Sequence, residues 1–225
     1  MLGHPVERRE FQRVLLVGYA VAAAVLAVVW IAVRLTERES AFFTREPATA
    51  LGGEWYAGIL SHVNALVWAT GAVASLLTWV VLRHADPAGA QPFLWAGVIT
   101  TVLLCDDLFI IHDGLLYDLG VWEGFVYAVY AAGIVWFVAR FRSFLGSEGL
   151  LVLAVAGVLF GVSLFFDQAL PGHNLKEDGA KLLAVVMWSS LLVTMSLRAL
   201  APESVRSAVK QSTNQPTRAD RLPGR

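Results

Sequence analysis

The chain has 225 residues, 57% of them hydrophobic and only 16% charged, with a formal net charge of −1. A soluble domain carries about a quarter charged residues, so the composition excludes an ordinary soluble domain and points to an integral membrane protein. The neutral balance offers no basic surface for nucleic acid, and a single cysteine, Cys105, excludes an intrachain disulfide and a thiolate cluster within one chain.

Spans are read as runs of about 17 to 25 mostly apolar residues. In chain order they are Val14–Val33, Tyr56–Leu82, Pro92–Leu116, Trp122–Ala139, Leu150–Leu170 and Asp178–Leu200. Pro92 suits the first turn of the third helix, where a missing N–H costs nothing. Pro171-Gly172 stops the fifth. The first run is longer than the apolar stretch of a cleavable signal. The expected fold is therefore all-α, a polytopic bundle of about six transmembrane helices over residues 1–200, followed by a polar tail, 201–225, expected to be disordered in water. Trp30, Trp55, Trp122 and Trp136 fall near span ends, as an interfacial aromatic belt requires. Trp68, Trp79, Trp95 and Trp188 fall deeper. Gly157 and Gly161 offer a small-residue packing face.

Charge is polarised by side. With six spans, the side holding both termini carries twelve of the seventeen bases but only six of the eighteen acids. The excess of Lys and Arg places both termini in the cytoplasm, and the acidic side faces out. The expected location is a bacterial-type inner or plasma membrane, with the lipid bilayer as the main partner.

The polar residues worth most attention lie on the third span, which reads Asp106-Asp107-Leu-Phe-Ile-Ile-His112-Asp113. A charge near the bilayer centre costs at least about 2.5–3.5 kcal/mol, and such residues usually face a partner, a cavity or an ion. Asp106 lies about 20 Å along the helix from Phe93 at 1.5 Å per residue. Asp107 projects about 100° away from Asp106, so the two acids address different neighbours. The outer ends of other spans supply those neighbours: His62 and Asn64 on the second, Asp167, His173, Glu177, Asp178 and Lys181 around the turn between the fifth and sixth. Lys181 bonded to Asp106 or Asp107 would explain part of the cluster as an interhelical salt bridge.

Three function classes fit these residues. The first is a metal-dependent membrane hydrolase acting on a lipid-like substrate. Imidazole with carboxylate suits zinc, iron or manganese, so His112, Asp113, His173, Glu177 and Asp178 are the expected ligands of a divalent metal. Asp106, Asp107 and Lys181 are the expected catalytic set, with Asp107 as base toward a metal-bound water. The second is a non-catalytic subunit of a larger membrane complex, in which His62 and His112 ligate a haem or chlorin. The third is a proton- or cation-coupled carrier, because intramembrane acids with a lysine suit ion paths; six spans then favour a homo-oligomer. No metal-binding spacing, phosphate loop or nucleophile motif selects among them. The orientation is checked directly: a protease-cleavable tag placed after Arg225 stays intact in whole cells and is cut once the membrane is opened.

Overall fold

A computed structural model of the chain describes residues 8–40, 52–54, 56–169 and 174–201. Trp55, the Pro171-Gly172-His173 turn, the tail beyond residue 201 and the side chain of Asp113 lie outside the described residues. All regular structure among the described residues is helical: α1 (Arg8–Thr36), α2 (Ile59–Leu82), α3 (Pro87–Phe109), a π-helical turn (Ile111–Leu116), α4 (Glu123–Ala169) and α5 (Asn174–Leu200). The chain divides at Gly58 into two units, the first holding α1 and the second everything after it. Four helices are long and apolar enough to cross a membrane, namely α2, α3, α4 and α5. In the first unit, α1 is apolar from Ala22 to Thr36.

The 47-residue α4 covers the two expected spans from Trp122 and Leu150 as one element, broken where Phe141 and Gly146 leave helical geometry. Gly146 has φ 65° and ψ 178°, a conformation that a residue without Cβ adopts at little cost. The chain doubles back there, because the Gln168 amide reaches Glu123, 45 residues earlier, at 3.2 Å. The Glu123 end and the Gln168 end of α4 therefore lie side by side. At the opposite end, Phe93 near the start of α3 meets Phe144 in the kink edge to face, with centroids 5.2 Å apart. Within the second unit the rods thus alternate in direction: α2, α3, the two arms of α4, then α5. One end of this bundle holds the kink. The other holds the starts of α2 and α5, the close of α3 and both termini of α4.

The core sits where α2, α3, α4 and α5 meet. Trp68, Ala96, Phe137, Phe141, Leu145, Leu153, Val185, Trp188 and Leu192 are buried there. Trp68 stacks on Phe160 at 5.9 Å and meets Trp188 edge-on at 6.4 Å. The Trp188 indole N–H donates to Thr100 Oγ1 at 2.9 Å, which satisfies a donor that hydrocarbon would leave unpaired. Trp68 and Trp188 are thus core, as their depth in the sequence indicates. Trp95 is not: it is 39% exposed and pairs edge to face with Trp136 at 5.0 Å.

Two boundaries differ from expectation for a readable reason. Helix α3 begins at Pro87, not Pro92, because Asp86 caps it: the carboxylate accepts from the Gly89 N–H at 3.0 Å and Pro87 takes the first helical position. Asp106 is then about 28 Å from the start of the helix at 1.5 Å per residue, close to the far edge of a hydrocarbon layer about 30 Å thick. The helix also ends early. Ile110 adopts φ 52°, ψ 47°, a left-handed conformation rare for a β-branched residue, and the chain continues as the π-helical turn.

Gly157 and Gly161 are not sites of close helix approach among the described residues, since a Cβ added at either position would meet no atom within 4 Å. Close helix approach occurs instead at Gly71, where an added Cβ would lie 2.8 Å from Ser189 Oγ and 3.1 Å from its Cα. Gly71→Val is accordingly expected to destabilise the α2–α5 contact by about 1–3 kcal/mol, seen as a lower melting temperature in detergent, while Gly157→Val leaves the melting temperature unchanged.

Candidate functional site

The two adjacent acids of α3 are held in opposite ways. Asp107 is gripped from other helices. Its Oδ2 accepts from the Asn64 amide of α2 at 2.7 Å, and its Oδ1 pairs with the Lys181 ammonium of α5. Asp107 is 10% exposed at the side chain and Lys181 32%, so the pair is largely withdrawn from solvent. The pair joins residues 74 apart in sequence, and with Asn64 it ties α2, α3 and α5 at one point.

Asp106 is gripped locally. It is buried, and its Oδ1 accepts from the His112 backbone N–H at 2.9 Å while its Oδ2 stands 2.7 Å from His112 Nδ1. The left-handed Ile110 makes this contact. In a continuous helix, six residues turn the chain by about 600°, which would set His112 well round the axis from Asp106. The break at Ile110, whose own N–H bonds to the Asp106 carbonyl, returns His112 to the acid instead. Tyr130 of α4 lies against the same carboxylate. The Tyr127 ring sits 5.4 Å from the His112 ring, centroid to centroid. Its hydroxyl donates to Glu123 Oε1 at 2.5 Å, and Gln168 Nε2 donates to the same oxygen and, at 2.8 Å, to Asp167 Oδ2. A run of contacts therefore passes from Asp106 through His112 and the Tyr127 ring to the two ends of α4 at Glu123 and Gln168.

Beside the Asp107–Lys181 pair is a small cavity lined by Leu60, Ser61, Asn64, Asp107, Asp178 and Lys181. Its volume is about 10 Å³, room for one water-sized particle.

The expected residues sort as follows. Asp106, Asp107, His112, Asp178 and Lys181 all lie at the same end of the bundle, in the two groupings just described. Glu177 is half-buried in the first turn of α5. His62 lies on the exposed face of α2, while Asn64, about 200° round the helix, is buried. His173 and the side chain of Asp113 lie outside the described residues. Among the described residues no three of His, Cys, Asp and Glu converge in a way that could hold a metal ion. Tyr127 and Tyr130 face the polar end rather than lipid. Their spacing of three residues puts them on one helix face, but the sequence alone leaves open whether that face meets the polar end or lipid.

A protein-family model described as a domain of unknown function, DUF8692, matches residues 13–195. The chain belongs to this family. Every residue of the polar end from Asn64 to Lys181 lies within the matched region. No curated protein and no solved structure matches the chain.

Removing one member of a buried pair strands the other. Lys181→Met is expected to cost about 3–5 kcal/mol, and the double change Asp107→Asn with Lys181→Met clearly less, because no uncompensated charge remains. Chemical or thermal unfolding in detergent measures both; equal losses in the single and double variants would show that the pair is not what holds α3 to α5.

Proposed function

We propose that the chain is a proton- or cation-coupled carrier whose working site is the Asp107–Lys181–Asn64 clasp. The observation that carries this reading is the size of the cavity at the clasp: about 10 Å³ beside two carboxylates and an ammonium. A space of that size handles a proton, a water or a small ion, whereas a lipid-like substrate needs a cleft of several hundred cubic ångströms. The paired charges suit ion handling. Each intramembrane acid has a titratable partner within the bundle, Lys181 for Asp107 and His112 for Asp106. A charge that is already paired is retained in hydrocarbon at lower cost, and the pairing can be exchanged for a proton or cation.

The remaining parts of the reading follow from topology. In this reading the doubled α4 supplies two spans, and α1 is taken as a further span beside α2, α3 and α5, which gives six. An even count keeps both termini on the base-rich, cytoplasmic side, so the clasp opens outward across a bacterial-type inner or plasma membrane. Six spans favour a homo-oligomer as the transporting unit. The hydrolase reading draws on His173 and Asp113, whose side chains lie outside the described residues, and no structural observation raises it or the cofactor-subunit reading above the carrier.

The test is ion-driven flux in proteoliposomes of the full chain. The wild type is expected to dissipate an imposed proton or cation gradient. Asp107→Asn and Lys181→Met are each expected to slow it by at least about tenfold, the equivalent of 1.4 kcal/mol, with helicity and monodispersity confirmed for each. The exchange of charges, Asp107→Lys with Lys181→Asp, restores stability without restoring flux if the pair is functional. Full flux in Asp107→Asn, or no flux in the wild type, defeats the carrier reading.

A further inference from the structure

The lining of the small cavity is chemically uniform where it is polar. Apart from the Lys181 ammonium, it presents a hydroxyl from Ser61, an amide from Asn64 and two carboxylates, Asp107 and Asp178. Oxygen donors without imidazole or thiolate suit hard cations. The charges select the valence: two carboxylates against one ammonium leave a single negative charge, which one monovalent cation neutralises and a divalent one overshoots.

Asn64 gives an independent sign that a cation is accommodated. The residue is 4% exposed. Its Nδ2 is committed to Asp107 Oδ2, which fixes the amide, because the flipped form would set oxygen against oxygen. The remaining atom, Oδ1, is buried and accepts from no donor among the described residues. A buried acceptor left unmatched costs about 1–3 kcal/mol, and a cation in the adjoining cavity removes that penalty. Asp178 is half-buried on the same cavity and forms no ion pair with any described residue. Its charge is the one Lys181 does not cover.

We infer that Asn64, Asp107 and Asp178, with Ser61 at the rim, form a binding site for one small inorganic monovalent cation, and that this cation and the Lys181 ammonium compete for Asp107. The inference rests on the carrier reading and names the class of its coupling ion. A space for one water-sized particle admits a bare sodium or potassium ion and is too small for organic cations. When the cation is in place, the repulsion between it and Lys181 weakens the α3–α5 pair, so occupancy of the site and closure of the clasp are linked in opposite senses.

The test is equilibrium binding of radioactive sodium to the purified full-length protein in detergent, in choline-balanced buffer. Saturable binding of one sodium per chain is expected, with potassium able to compete and choline a poor competitor. Asp178→Asn and Asn64→Leu are each expected to weaken binding by at least about tenfold, equivalent to the loss of one charge-assisted contact. Lys181→Gln, which removes the competitor, is expected to tighten it. No saturable binding by folded wild-type protein overturns the inference, as does binding that both Asp178→Asn and Asn64→Leu leave intact. The two proposals fail separately. Proton-driven flux that persists in sodium-free medium, together with absent sodium binding, removes the sodium site and leaves the carrier. Sodium binding without any flux does the reverse.

Discussion

A carboxylate inside hydrocarbon has to be neutralised by whatever the chain can bring to it, and Asp107 draws on two other helices to meet that need. Its oxygens are divided between Asn64 on α2 and Lys181 on α5, so one side chain fixes the mutual positions of three rods at the polar end. Packing alone would not do this as tightly. Between apolar helices in lipid the hydrophobic effect provides no preference for contact, and association relies on close fit and on polar bonds. The aromatic core around Trp68, Phe137 and Trp188 supplies the fit; the Asp107 clasp supplies the register. A helix rotated by one residue so that Leu108 stood where Asp107 stands would lose both partners.

The neighbouring acid obeys the same requirement by a different route. Asp106 is met from within its own stretch of chain, at the cost of a left-handed Ile110, a strain of about 1–2 kcal/mol. The contacts of the buried carboxylate with the His112 N–H and ring offset that strain. The two solutions differ in what they respond to. The local one persists as long as the segment is folded. The long-range one exists only while α2, α3 and α5 are together, so it is the one that reports on, and can be altered by, relative movement of the helices.

Much of the architecture was legible in the sequence, because a run of apolar residues long enough to cross a bilayer has few alternative uses. The positions of α2 and α5 and the burial of Trp68 and Trp188 followed from that. The start of α3 was also written there, in Asp86-Pro87, but Pro92 drew attention from it. The alternation of Asp106 and Asp107 between two sets of partners followed from the 100° step of a helix. What stayed hidden was set by geometry that periodicity does not encode. The left-handed Ile110 has no residue signature, since glycine or asparagine would ordinarily mark such a turn. The choice between His62 and Asn64 depended on which face of α2 meets α3, and a chemically richer imidazole was the more conspicuous of the two. The open surroundings of Gly157 and Gly161 show the converse: a spacing that fits a packing motif fixes no partner.

The separation of 74 residues between Lys181 and Asp107 has a meaning for biogenesis. Chain elongation proceeds at about 5–20 residues per second, so Asp107 is made roughly 4–15 seconds before the lysine that balances it. Asn64, which is synthesised earlier, is already present to receive one oxygen of Asp107. For the rest of that interval the acid has to stay protonated, remain near the headgroups or be sheltered by the insertion machinery. The last helix made thus completes the charge balance of the third, and α5 acts as the latch of assembly as well as one wall of the bundle.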